Sequence, residues 1–259
     1  IRALDPTRPQ LMVHEHAASF ATFRNAADVF GFDHYPIPQH GPKAFADRFL
    51  EAREKLGAGA PLWAVLQNFA WYQHRPVEAP LAKGDLETER ARLPQPSEWL
   101  KSGPPTREET RAMLYAGLVS GAQGVLWWCL YNLDYLPDRE ERWNDAVVLG
   151  RETRALSPFL LADESRAVAW SDAKITSLEK TTPDGRRVLM AVNLSSTPVR
   201  AEATWPPTPP KSAESSGAAS RPSSFDVEVM FERRRARVEG GVLVDFFAPY
   251  ARHVYAVDP

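Results

Sequence analysis

Cysteine is nearly absent. A single one, Cys129, excludes an internal disulfide framework, and with only 6 scattered histidines it also excludes a cysteine-based zinc site. Charge of one sign is missing too: 31 basic residues stand against 33 acidic ones, a formal net charge of -2, so nothing calls for nucleic acid or an anionic membrane as partner. No apolar run approaches the roughly 18 to 20 residues of a membrane-spanning helix, and no charged-then-apolar leader stands at the start. The first residue is Ile1 rather than Met, from which we expect the natural start to lie upstream. No internal repeat is visible. The compartment stays open, with an extracellular or periplasmic setting preferred.

What is present is a sequence of 259 residues, 44% hydrophobic, long enough to bury a sizeable core in one large or two ordinary domains. Four segments read as buried parallel strands: Gln10 to His16, Asp28 to Tyr35, Pro61 to Phe69 and Gly124 to Asn132. Their bodies are almost continuously apolar, as in strands covered on both faces, and their polar groups gather at the C-terminal ends. Between them, "PKAFADRFLEAREKLG" has helical spacing and stops at Gly57, and "TREETRAMLYAGLVSGAQG" opens with a capping box, Thr106 with Glu109. A last helix is expected from Asn144 to Leu161, ending near Ser157 and Pro158. Beyond it, short alternating strands predict a small antiparallel sandwich. The Pro-, Ser- and Ala-rich insert 206–224 reads as a flexible loop. The basic run "FERRRARVEGG" reads as a solvated strand edge of that second domain. The domain expectation is therefore 1–161 and 162–259.

In a parallel α/β sheet, ligands bind at the C-terminal strand ends. In "VFGFDHYPIP", alternation puts Gly31, Asp33 and Tyr35 on one face and Phe30, Phe32 and His34 on the other. Phenylalanines suit the helix side and glycine a crowded interior, so Asp33 and Tyr35 are expected at the mouth. The alternative is that Asp33 only caps the following loop. Gln67 and Asn68 end the third strand, with Trp71 following; Trp128, Tyr131 and Asn132 crowd the fourth. Tryptophans around carboxylates and amides suit the C–H faces and hydroxyls of sugars, although each tryptophan taken singly could equally be core. His14 and His16 share a strand face, but a third ligand at suitable spacing is missing, so no metal and no cofactor is expected; Glu15 or His16 lines the same mouth instead.

The strings "LDPTRPQLMV", "ADVFGFDHYPIP", "PLWAVLQNFAW", "PTREETRAMLYAGLVSGAQGVLWW" and "VDFFAPYARHVYAV", in this order, resemble the second half of a glycoside hydrolase of the clan A type. The resemblance implies an α/β fold: strands five to eight of a TIM-type (β/α)8 barrel, followed by an all-β antiparallel sandwich. It implies that Trp128 stacks under the sugar at the cleavage point and that Asp33 and Tyr35 are the polar pair closing strand six. The family's acid/base glutamate, on strand four, would lie before Ile1. Its nucleophilic glutamate closes strand seven, where Gln67 stands, and an amide can neither form a glycosyl ester nor carry charge. The expectation is a glycoside hydrolase-like protein acting on an oligo- or polysaccharide. Asp33 or Glu15 would serve as base, while Tyr35, His16, Gln67, Asn68, Trp71, Trp128, Tyr131 and Asn132 bind substrate. The missing barrel half would come from a preceding segment or another chain. The alternatives are a non-catalytic carbohydrate-binding barrel and a barrel with other chemistry.

Overall fold

The computed structural model describes residues 5, 7–57, 59–71, 103–129, 136, 138–206 and 224–257. The expectations for Tyr131 and Asn132, and nearly all of the 206–224 insert, lie outside these residues. Four parallel strands, β1 (Leu11–His14), β2 (Val29–Asp33), β3 (Leu62–Gln67) and β4 (Gly124–Trp128), pair in the order β1-β2-β3-β4. They are joined through the single turn α1 (Phe20–Phe23) and the helices α2 (Pro42–Leu56) and α3 (Arg107–Val119), and β4 leads to α4 (Arg139–Leu160).

The alternation along β2 decides which side is which. Phe30 and Phe32 point outward into a buried aromatic cluster, with Phe32 at 6.1 Å from Phe49 and 6.4 Å from Phe45 of α2. Gly31 points inward, where an added Cβ would come within 2.9 Å of Val13 and 3.1 Å of Val65, so only glycine lets the three strands approach there. The inner face is covered unevenly: Val65 is buried, but Leu11 and Val13 on β1 remain 44% and 43% exposed.

Local chemistry explains the helix ends. Pro42 occupies the first turn of α2, where its missing N–H costs nothing, and Gly57 ends that helix at φ +96°. The box at α3 is closed: Thr106 Oγ1 accepts from the Glu109 amide at 3.2 Å, and Glu109 accepts from the Thr106 amide at 2.8 Å. Helix α4 corrects the sequence reading at its start, while its end at Leu160 lies within one residue of the expected Leu161. It begins five residues earlier, in the polar turn Arg139–Glu140–Glu141, which has no apolar period to reveal it but suits the positive helix start. It also runs through Pro158, because the buried stripe Leu149, Glu152, Leu156 and Phe159 continues past that residue and packing outweighs one lost backbone bond.

The remaining strands are β5 (Glu164–Ala167), β6 (Ile175–Thr181), β7 (Arg187–Asn193), β8 (Val199–Thr204), β9 (Ser224–Val229), β10 (Arg234–Glu239), β11 (Val242–Phe247) and β12 (Arg252–Val257). They form one antiparallel sheet in the order β5-β6-β7-β12-β9-β10-β11-β8. The sheet curls on itself around Trp205, Tyr255, Phe247 and their neighbours, and a bridge from Trp170 to Ala203 brings its two ends together. The two layers of the expected sandwich are thus one continuous sheet. The basic run also needs correction: it forms β10, which is paired on both sides, to β9 and β11, rather than lying at an edge. The tight turn Gly240–Gly241, at φ +57° and +79°, folds it back, as a two-residue hairpin requires.

Strand β7 is buried along its whole length. Val188, Met190 and Val192 join the same core as Met113 and Leu149 of the helices, while Leu189 and Ala191 face the interior of the curled sheet. One buried ion pair crosses this seam. Arg252 of β12 donates to Glu152 of α4 at 2.7 and 3.3 Å and to Glu232 at 2.9 Å, and Tyr115 of α3 donates to Glu152 at 2.9 Å. Removing one partner strands a buried charge. Arg252→Met should therefore cost about 3 kcal/mol or more in urea unfolding, whereas Arg237→Met, at the exposed pair with Asp226 and Glu239, should stay within about 0.5 kcal/mol. Equal costs for the two would refute the seam's role.

Candidate functional site

Asp33 is the last residue of β2, at the C-terminal edge of the parallel sheet. Its carboxyl is half-buried. Oδ2 accepts from the Tyr35 hydroxyl at 3.4 Å, and Oδ1 is buried with no hydrogen-bond partner among the described residues. Burial raises the pKa of Asp33 above the ordinary aspartate value, the neighbouring Glu15 charge adds to the rise, and its own backbone amide, Tyr35 and His14 oppose it. A buried oxygen without a donor is unusual.

Tyr35 packs edge-on against Phe69, with ring centroids 5.0 Å apart, and lies 6.3 Å from Trp71, which is itself 5.3 Å from Phe69. Asp33, Tyr35 and Trp71 are therefore brought together, as the alternation of β2 predicts for the first two. Trp128 ends β4 opposite Gln67 in the register and is 43% exposed, a large open aromatic face at the same mouth. Glu15 and His16 lie on the exposed rim beyond β1, 3.5 Å from each other. Among the described residues no group of three His, Cys, Asp or Glu side chains is placed to hold a metal.

Gln67 is differently employed from what its position on the strand suggests. It is fully buried; its Oε1 accepts from the Ile37 amide at 3.0 Å, and its Nε2 donates to the carbonyls of Ile37 at 2.8 Å and Phe69 at 3.2 Å. Both amide protons are thus taken by backbone, and Gln67 braces the loop that follows β2 across the end of β3. Asn68 is buried as well, and its backbone N–H donates to the Trp128 carbonyl at 2.9 Å. The bracing partner Ile37 escaped the sequence reading because the contact spans 30 residues and ends on backbone atoms, which carry no side-chain signature. The part of Phe69 in seating Tyr35 has a sequence signal, its place on the same strand face as Gln67.

The charge on Asp33 has a stability consequence with a definite sign. Because its folded pKa is raised, its contribution is fully present below the unfolded aspartate pKa and is lost as pH rises through the folded value. Asp33→Asn should therefore raise the melting temperature at pH 7, and the gain should fade below about pH 3.5, where aspartate is neutral in both states. Melting curves of the two proteins at both pH values check this; an asparagine protein less stable at pH 7 would contradict it.

No family model matches the sequence, and no curated protein matches it. Solved structures do. An Anoxybacillus alpha-amylase matches over 100% of this chain and 54% of its own, at 12% identity and a TM-score of 0.56. A noncanonic maltogenic alpha-amylase from Thermotoga neapolitana matches over 100% of this chain and 57% of its own, at 11% identity and a TM-score of 0.54. The chain spans a little over half the length of these structures. The likeness is one of fold: four parallel strands with their helices and a curled β domain, as in the C-terminal half of a glycosidase (β/α)8 barrel with the β domain behind it.

Proposed function

We propose that this chain forms half of a glycoside hydrolase-like barrel that handles an oligo- or polysaccharide at its mouth, with Asp33 as the group that meets the reacting sugar. The observation that carries this reading is the Asp33 carboxyl: half-buried, raised in pKa and with Oδ1 unpartnered among the described residues, at the strand ends where Trp128 offers an open aromatic face. A sugar offers hydroxyl donors to a carboxyl and a C–H face to an indole.

Hydrolysis with inversion needs two carboxyl groups. One takes a proton from the attacking water as its oxygen bonds to the anomeric carbon; the other gives a proton to the departing glycosidic oxygen. Asp33 is the first of these in this reading, with Glu15 on the rim as the other candidate, and the acid comes from the complementary half of the barrel. Leu11 and Val13, exposed on the inner face of edge strand β1, favour such a complement, whether a segment of the same protein or another chain. A covalent route through β3 is disfavoured, since Gln67 is uncharged and held by backbone on both sides of its amide. That same observation favours a second reading, a barrel that binds glycans without cleaving them.

The two readings separate on one pair of variants tested against oligosaccharides of defined linkage. On the hydrolase reading, Asp33→Asn abolishes turnover in the intact protein while affinity stays within a few-fold, and Trp128→Ala weakens binding about tenfold or more, the loss of roughly 1.4 kcal/mol or more of stacking. Turnover unchanged in Asp33→Asn removes the catalytic assignment. Binding unchanged in Trp128→Ala removes the carbohydrate cleft.

A further inference from the structure

We propose that Tyr35 is a positioning residue for Asp33: its hydroxyl is the side-chain donor to Oδ2 and so sets the rotation of the carboxyl at the strand end. The inference rests on the reading of Asp33 as the ligand-facing carboxyl, and it gives Tyr35 a task other than contact with sugar.

The two oxygens of a carboxylate are interchangeable by rotation about the Cβ–Cγ bond unless a donor distinguishes them. Here one does. The Tyr35 hydroxyl stands 3.4 Å from Oδ2, and no described group reaches Oδ1. The donor is itself fixed from another strand. Its ring sits edge-on, at 82°, against the fully buried Phe69 and at 65° to Trp71, both of which follow β3. The backbone around Phe69 is tied in turn, since its carbonyl accepts from Gln67 Nε2 at 3.2 Å. The orientation of the β2 carboxyl is thus set through a tyrosine ring by the loop after β3.

Electrostatics agrees with the geometry. The hydrogen bond from Tyr35 favours the charged form of Asp33, against burial and the Glu15 charge, with His14 the remaining ionisable neighbour and assisting. The tyrosine hydroxyl is pushed far upward by burial and by Asp33, so it stays a proton donor throughout the range in which the carboxyl titrates. Two residues that share a strand face could be near each other without any such relation, so the test must read the carboxyl itself.

The experiment is a carbon-13 titration of the side-chain carboxyls in the intact protein, with the Asp33 signal assigned by its loss in Asp33→Asn. In Tyr35→Phe, which keeps the ring, the Asp33 midpoint should move upward. Phe69→Leu keeps the hydroxyl but loosens its seat, and should move the midpoint the same way by less. An unchanged or lowered midpoint in Tyr35→Phe overturns the proposal; should that protein fail to fold, an unchanged midpoint in Phe69→Leu does so. The titration needs no ligand. If the midpoint moves while no oligosaccharide binds the parent protein, the positioning role stands and the carbohydrate reading falls.

Discussion

Helix α3 is covered on two sides, and that double burial organises the molecule. On one side Gly117 lies on Ala64 of β3 so closely that an added Cβ would come within 2.9 Å of it. On the other, α3 packs against β7 and β12 of the curled sheet, and Tyr115 reaches Glu152 and thereby the Arg252 pair. One face of β7 therefore joins the core of the parallel strands and their helices, while the other faces the separate core of the curled sheet. A helix sitting so near β3 also fixes the height at which that strand ends, and with it the place of Gln67 and the loop beyond.

The mouth works by contrast with this packing. Around Gln67 every polar atom has a backbone partner, so the loop after β2 is rigidly braced. On the neighbouring strand, level with Val65 and on the same face as Gln67, Asp33 keeps one oxygen without a donor among the described residues and carries the electrostatic cost of burial. Rigid surroundings are what make such an unsatisfied group possible, because a softer loop would move to supply a donor.

The two halves of the inner face tell a similar story about completeness. Val65 is buried between its neighbours, yet Leu11 and Val13 on the edge strand remain open. Exposed apolar side chains on one face of a sheet are unusual in strands that helices cover on the other. The amylase structures that share this fold extend well beyond the part that matches.

The sequence by itself determined the four strands, their parallel grammar and their faces. Alternation along residues 29–33 is a local property, and Phe30 and Phe32 against Gly31 and Asp33 left one consistent orientation. It determined the capping box at Thr106 and the change to antiparallel structure after Pro158 for the same reason, since neighbouring residues carry these signals. Tertiary structure decided the rest. That α4 passes through Pro158 depends on packing against distant residues; that β10 is central rather than an edge depends on which strands meet it. The bracing of Gln67 and the seating of Tyr35 on Phe69 depend on backbone atoms and ring angles brought together across 30 or more residues. Side-chain type can announce that a carboxyl stands at a strand mouth. Only the packing around it could decide that one of its oxygens is buried without a donor among the described residues.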